Sequence, residues 1–167
     1  MANELARYRA STVQAEETLY FLEVGESSAK AYHMLFLRAE SATIDTGAET
    51  EEIPDVTQAT QAEEISKYKP SMTLSSVFLK EDPCCKAILN IWDKRATGAD
   101  THFNLLEVRT WDGNKAIKND VSISVSSVTA EAGSKIKIEA TLNFTSDPVD
   151  AGTAEIDAET GVATVED

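Results

Sequence analysis

The chain has 167 residues, 42% hydrophobic and 26% charged, the length and balance of one globular domain that can bury a core without disulfides or metal. Its 29 acids outnumber 15 bases for a formal net charge of −14. That excess argues against gripping nucleic acid or docking on an anionic membrane, both of which need clustered Lys and Arg. The N-terminal MANELARYRAST lacks the apolar stretch of a signal peptide, and no apolar run approaches the ~18 residues of a membrane helix. These features place the chain in a cytoplasm, or in something assembled there.

In chain order, Glu4 to Glu17 reads as a helix or an arm. Thr18 to Val24 (TLYFLEV) is aromatic and branched, and reads as a strand. The cluster GESSAK turns the chain into a second strand over Ala31 to Ile44, so the pair predicts a hairpin. Asp45 to Glu64 follows with seven acids and no base, and only Ile53 and Val56 suit a core. It reads as a long acidic loop, of the kind that is solvated or ordered on a partner. In Tyr68 to Lys80, Met72, Leu74, Ser76 and Phe78 alternate with Thr73, Ser75, Val77 and Leu79, and Pro70 suits the start of a strand.

Asp82-Pro83 is a helix N-cap with proline at the first helical position. Ile88, Leu89 and Trp92 recur at helical spacing, Lys94 and Arg95 suit the negative end of the dipole, and Gly98 offers a C-cap. The spacing predicts a helix of about 13 residues with one apolar face. Thr101 to Trp111 returns to strand and ends at the Asp112-Gly113 turn. Val121, Ile123 and Val125 then alternate with Ser122, Ser124 and Ser126, and the Ser126-Ser127 doublet shifts the phase, which predicts a bulge. Ser134 to Thr145 alternates cleanly as the second half of a hairpin. Asp147 to Asp167 holds seven more acids and no base, and reads as an acidic C-terminal arm. Outside the two acidic stretches, 15 acids meet 15 bases, so the whole excess resides in them. The expected fold is mainly β: an antiparallel sandwich or barrel over residues 1–146 with one flanking helix, interrupted by the acidic loop 45–64 and followed by the arm 147–167.

The chemistry in this sequence is sparse. No GxSxG, P-loop, GxGxxG, HExxH or EF-hand pattern occurs. His33 and His102 stand in predicted strands without a nucleophile pattern, and Glu51-Glu52 and Glu63-Glu64 are adjacent pairs on a loop, where carboxylates stay solvated. Cys84 and Cys85 are adjacent and read as small apolar side chains opening the helix, not as a disulfide or a metal site. Trp92 and Trp111 read as core. We therefore expect no catalytic residue, no cofactor and no metal, and a structural or binding module in place of an enzyme.

The run KYKPSMTLSSVFLKEDPCCKAILNIWDKRATG, with Tyr68, Pro70 and Ser71 at a strand start and Asp82-Pro83 at a helix start, resembles the major tail (tail tube) proteins of long-tailed bacteriophages. The strand ending at Trp111-Asp112 and the closing DVSISVSSVTAEAGSKIKIEATLNFTSDPVDAGTAEID extend the resemblance over roughly residues 17–157. It implies a β-sandwich with one helix that forms hexameric rings stacked into a hollow tube, an architecture shared with the hemolysin-coregulated tube proteins of type VI secretion. Sheets of six subunits would join into an inner barrel through which double-stranded DNA passes unbound. The implied partners are further copies, a tape measure and a tail terminator. The implied location is a virion tail assembled in the host cytoplasm, with no membrane. On that reading Glu49, Glu51, Glu52, Ile53, Asp55 and Val56 belong to an inter-ring loop, and Ser122, Ser124 and Ser126 form a lumen-facing stripe. The extra immunoglobulin-like domain of some relatives has no counterpart in the 167 residues. The alternative expectation is a β-sandwich that recognises carbohydrate or protein at a tail tip or cell surface, with Tyr32, Phe103 and Trp111 as an aromatic platform.

Overall fold

A computed structural model of the chain describes residues 17–25, 30–35, 39–53 and 62–166. The segment 4–16 and the loop residues Asp55 and Val56 lie outside them. The described residues are mainly antiparallel β with one α-helix.

The strands are β1 (Thr18–Val24), β2 (Ala31–Met34), β3 (Ala39–Asp45), β4 (Ala48–Ile53), β5 (Ala62–Tyr68), β6 (Ser71–Val77), β7 (His102–Arg109), β8 (Lys115–Thr129), β9 (Lys137–Phe144), β10 (Val149–Asp157) and β11 (Val162–Glu166), with helix α1 (Pro83–Lys94) between β6 and β7. Nine strands form one sheet in the order β10-β11-β2-β1-β7-β8-β9-β6-β3, and β10 also pairs with β8. That extra pairing closes β1, β2, β11, β10, β8 and β7 into a six-stranded barrel. The remainder, β8-β9-β6-β3, is an open four-stranded sheet. β8 belongs to both: Lys115–Lys118 pairs with β10, and Val121–Thr129 pairs with β9.

Two apolar clusters follow from the two faces of the strands. Phe21, Leu106, Val108, Ala116, Ala154 and Ala163 fill the barrel. Leu22, Leu74, Ile88, Leu105, Ile123, Leu142 and their neighbours lie between the sheet and α1. Successive residues point to opposite faces of a strand, so Phe21 and Leu22 enter different clusters, as do Leu105 and Leu106. Asp82 caps α1, its carboxylate accepting from the Cys84 amide at 2.9 Å and the Cys85 thiol at 3.2 Å.

Several sequence expectations change. Ala31 to Ile44 is not one strand: β2 pairs with β1 as the predicted hairpin, whereas β3 crosses to the far edge against β6. The described part of the acidic loop 45–64 is largely strand, β4 paired with β5 in a separate two-stranded sheet. The C-terminal segment is no arm, because β10 and β11 complete the barrel with Ala154 and Ala163 buried and the acids outward. The helix ends at Arg95, left-handed at φ 52°, before reaching Gly98. Trp92 is 44% exposed, with the Arg95 guanidinium over its ring at 3.6 Å, while Ile91 takes the buried place. Trp111 is 48% exposed in a short turn after β7. The β8–β9 hairpin and its bulge are present, the register slipping between Val125 and Ser127.

Candidate functional site

The open sheet has two contrasting faces. Its rows run across four strands in register. Ile44–Met72–Leu142–Ile123 and Ala42–Leu74–Ala140–Val125 point towards the helix side. The alternate rows are Asp45–Ser71–Asn143–Ser122, Thr43–Thr73–Thr141–Ser124 and Ser41–Ser75–Glu139–Ser127. These twelve side chains give an outward face nine hydroxyls, one amide and two carboxylates, and the next row, Val77–Lys137–Thr129, adds a lysine at its end. All twelve are half-buried or exposed. Hydrogen bonds hold several of them: Ser124 Oγ donates to the Thr141 carbonyl at 3.4 Å, Ser127 Oγ donates to the Glu139 carboxylate at 3.0 Å, and the Ser122 and Thr101 hydroxyls are 3.0 Å apart.

The predicted serine stripe is therefore part of a larger surface. Ser122 and Ser124 stand in it. Ser126 does not, because it is the extra residue of the bulge and has no partner on β9; Ser127 takes the next place. The phase shift that located the bulge also moves the stripe by one residue. The contributions of β3, β6 and β9 were not legible, because pairing order is needed to bring them together.

The open sheet also has two free edges among the described residues. β3 pairs only with β6. On the opposite side, β7 stops pairing with β8 at His102–Ser122, so the flank of residues 123–129 that faces away from β9 has no strand partner. Exposed apolar residues sit at both edges on the helix side, Ile44 (47%) on β3 and Val128 (37%) on β8.

The β4–β5 hairpin leaves the sheet beside Asp45 and Ser71. Its base is pinned at Gly47, at φ +54°, whose carbonyl accepts from the Lys69 amide at 2.9 Å and whose amide donates to Asp45 Oδ1 at 2.9 Å. A Cβ at this position would lie 2.1 Å from the Lys69 carbonyl oxygen, so only glycine fits. Glu49 receives the ammonium groups of Lys67, at 2.9 Å, and Lys69, which hold its carboxyl below the usual range. Further out, glutamates oppose glutamates: Glu51 faces Glu64 and Glu52 faces Glu63. Like charges directly opposite destabilise a strand pair. Ile65 and Tyr68 on the same hairpin are 53% and 60% exposed. Of the predicted inter-ring residues, Glu49, Glu51, Glu52 and the backbone of Ile53 are thus in β4.

The remaining candidates are scattered. His33 is on β2 and His102 begins β7. Cys84 and Cys85 are buried free thiols; burial raises both, Cys85 to about 11. Tyr32 packs on the barrel cluster and Phe103 on the helix-side cluster, which leaves Trp111 as the exposed member of the supposed platform. A polar groove of about 760 Å³ runs between the end of α1 and β1–β7, lined by Glu23, Lys30, Asn104 and Asp120 among others. Asn104 donates to Glu23 there at 2.6 Å. Among the described residues no three His, Cys, Asp or Glu side chains are grouped to hold a metal, and no helix is long and apolar enough to cross a membrane.

This fold is similar to that of solved tail tube chains. It is shared with the SPP1 tail tube protein (TM-score 0.66, 13% identity, 89% of this chain and 83% of that one). It is shared also with a chain from the tail of an empty gene transfer agent particle, refined with C6 symmetry (TM-score 0.61, 10% identity, 83% and 98%). A third likeness is to a chain of the sheath–tube complex of PVC, an extracellular contractile injection system in its extended state (TM-score 0.50, 13% identity, 92% and 99%). No protein-family model matches the sequence, and no curated protein matches it.

Proposed function

We propose that the protein is the structural subunit of a tail tube, self-assembling into stacked hexameric rings whose lumen conducts double-stranded DNA. The observation that carries this reading is the pair of free edges on opposite sides of the open sheet. Unpaired edges are a template for further strands and are normally blunted or covered. Here the two edges are different strands, so joining β3 of one copy to β8 of the next is a heterologous contact. It closes into a ring if the rotation closes. Six copies of four strands give a 24-stranded barrel. With strands about 4.8 Å apart and tilted about 40°, its backbone radius is about 24 Å, well beyond barrels whose interior fills with side chains. The C6 symmetry of the gene transfer agent tail supports the sixfold number.

In such a ring the hydroxyl face lines the lumen. Its three rows hold Asp45 and Glu139 and no Lys or Arg, and Lys137 stands at its end in the next row, so a phosphate backbone meets acids and hydroxyls and no cluster of cations. The same edge joining gives strand partners to the unpaired backbone groups of β3 and of residues 123–129. The β4–β5 hairpin, with Glu49, Glu51 and Glu52 on β4, reaches out of the ring as the inter-ring connection. The structural role carries no chemistry, which accords with the absence of a recognisable catalytic pattern in the sequence. A tape measure and a tail terminator are the expected partners, the virion tail the location, and the host cytoplasm the place of assembly.

Negative-stain microscopy and light scattering of the concentrated protein test the proposal. Rings with a central hole and tubes built from them are expected. A species that stays monomeric at high concentration under all salt conditions refutes it.

A further inference from the structure

If edges close the ring, the ends of the open sheet become its two faces, because barrel strands run from rim to rim. The two ends differ. At one end Asp45 and Ser71 lead into the β4–β5 hairpin. At the other, about 20 Å away along β6, Val77 pairs with Lys137 and Lys137 with Thr129. The Phe78 amide donates to the Ile136 carbonyl at 2.8 Å, which ties the 78–80 segment to the 135–137 segment. This second end carries Lys80, Lys135 and Lys137, all exposed, around the exposed apolar side chains Ile136 (44%) and Val128 (37%). Acids nearby are Glu81, which pairs with Lys86 at 3.6 Å, Glu131 in the turn after β8, and Glu139, which accepts from Ser127.

The geometry points to this lysine-rimmed end as the receiving surface for the β4–β5 hairpin of a second copy in the next ring. The inference rests on the tail tube reading and names the contact that stacks the rings. The hairpin and the rim match in two independent respects. The hairpin's outer half presents Glu51, Glu52, Glu63 and Glu64, paired across strands only with one another, and the rim presents lysines. The hairpin face formed by Ala48, Tyr68, Thr50 and Ile65 exposes two large apolar side chains, and the rim exposes Ile136 and Val128. An isolated two-stranded hairpin is marginal in water, and two consecutive Glu–Glu pairs weaken it further. A lysine-rimmed apolar seat relieves both costs. The six residues of β4 span about 20 Å, enough to cross from one ring into the next.

The test uses the full chain. One variant reverses the hairpin (Glu63→Lys with Glu64→Lys), a second reverses the rim (Lys80→Glu with Lys135→Glu), and a third combines both. Ring formation and tube length are read separately by negative-stain microscopy, with circular dichroism confirming that each variant is folded. Each reversal alone is expected to leave rings and to shorten tubes by about tenfold, since a weak pairwise term is repeated around the ring. The combined variant is expected to regain most of the length. Wild-type tubes should also shorten as salt rises from about 0.1 M to about 1 M, where the screening length falls from about 10 Å to about 3 Å. Tubes of normal length from either single reversal, or a combined variant no longer than its parents, overturn the inference while leaving the tail tube reading intact. A wild-type protein that forms no rings overturns both.

Discussion

Gly47→Ala isolates the hairpin from the body of the protein. The new methyl group would sit 2.1 Å from the Lys69 carbonyl oxygen and 2.7 Å from its carbon, backbone atoms that no rotamer change can move. A left-handed backbone costs a non-glycine residue about 1–2 kcal/mol. Loss of the 2.9 Å bond from the Lys69 amide to the Gly47 carbonyl adds about 0.5–1.5 kcal/mol. Opening of the hairpin should therefore become easier by about 2–3 kcal/mol. Residues 48–52 and 63–68 contribute nothing to the two apolar clusters, so the body should melt within about 2 °C of the parent, given about 2–4 °C per kcal/mol for a chain of this size. Hydrogen exchange measured by mass spectrometry is the assay. Amides of the hairpin should exchange about 30- to 150-fold faster, a tenfold change being about 1.4 kcal/mol, with exchange in β6–β9 unchanged. Gly47→Asn serves as the comparison: asparagine tolerates the left-handed backbone but carries the same Cβ, so it should behave almost as badly. Unchanged hairpin exchange in both variants, or a melting point lowered by more than about 6 °C, would refute the reasoning. The first would mean the base is not pinned by this contact, the second that the hairpin is part of the core.

Asp82→Ala removes the acceptor for the Cys84 amide and the Cys85 thiol and should cost about 1–2 kcal/mol, seen as a lower midpoint in urea with an unchanged slope. Burial raises the Cys85 thiol from its ordinary 9.0 to about 11, and Tyr20 from 10.0 to about 12. The folded state then holds protons the unfolded chain has released, so stability should be level below about pH 8 and fall progressively above pH 9, as thermal melts would show; a rise in that range contradicts the burial of these groups. Phe21→Ala empties the barrel and should cost about 3–5 kcal/mol. Because Phe21 and Leu22 tie the two clusters through one strand, calorimetry should still show a single transition, and two separated peaks would show the clusters to be independent.

Alternating strands with large apolar residues were readable in the sequence: β1, β6, β8, β9 and the bulge at Ser126. So was the start of α1, because an Asp-Pro cap is a local signal. The end of α1 was not, since Arg95 adopts a conformation usually left to glycine. β10 and β11 were missed because their inward residues are small or modest, Ala154, Ile156, Ala163 and Val165, and their outward residues are acids that dominate the composition. The narrow barrel demands exactly such small residues, so weak hydrophobicity there reports available space and not exposure. β4 and β5 were missed for a different reason: Ala48, Ile65 and Tyr68 belong to neither apolar cluster, and the pairing next to Gly47 and Lys69 defines the strands. The polar face was half visible, as a serine alternation in β8; its other three strands are distant in the chain and converge only through the sheet order.

β8 has a mechanical consequence. Fifteen residues of one continuous strand close the barrel at one end and build the open sheet at the other, gripped in turn by β7, β10 and β9. Tension along it loads these ladders together in shear, where many bonds must yield at once, instead of peeling them singly. In the tube proposed above, a wall of such units would yield at the joints between copies before any one brick lost its shape.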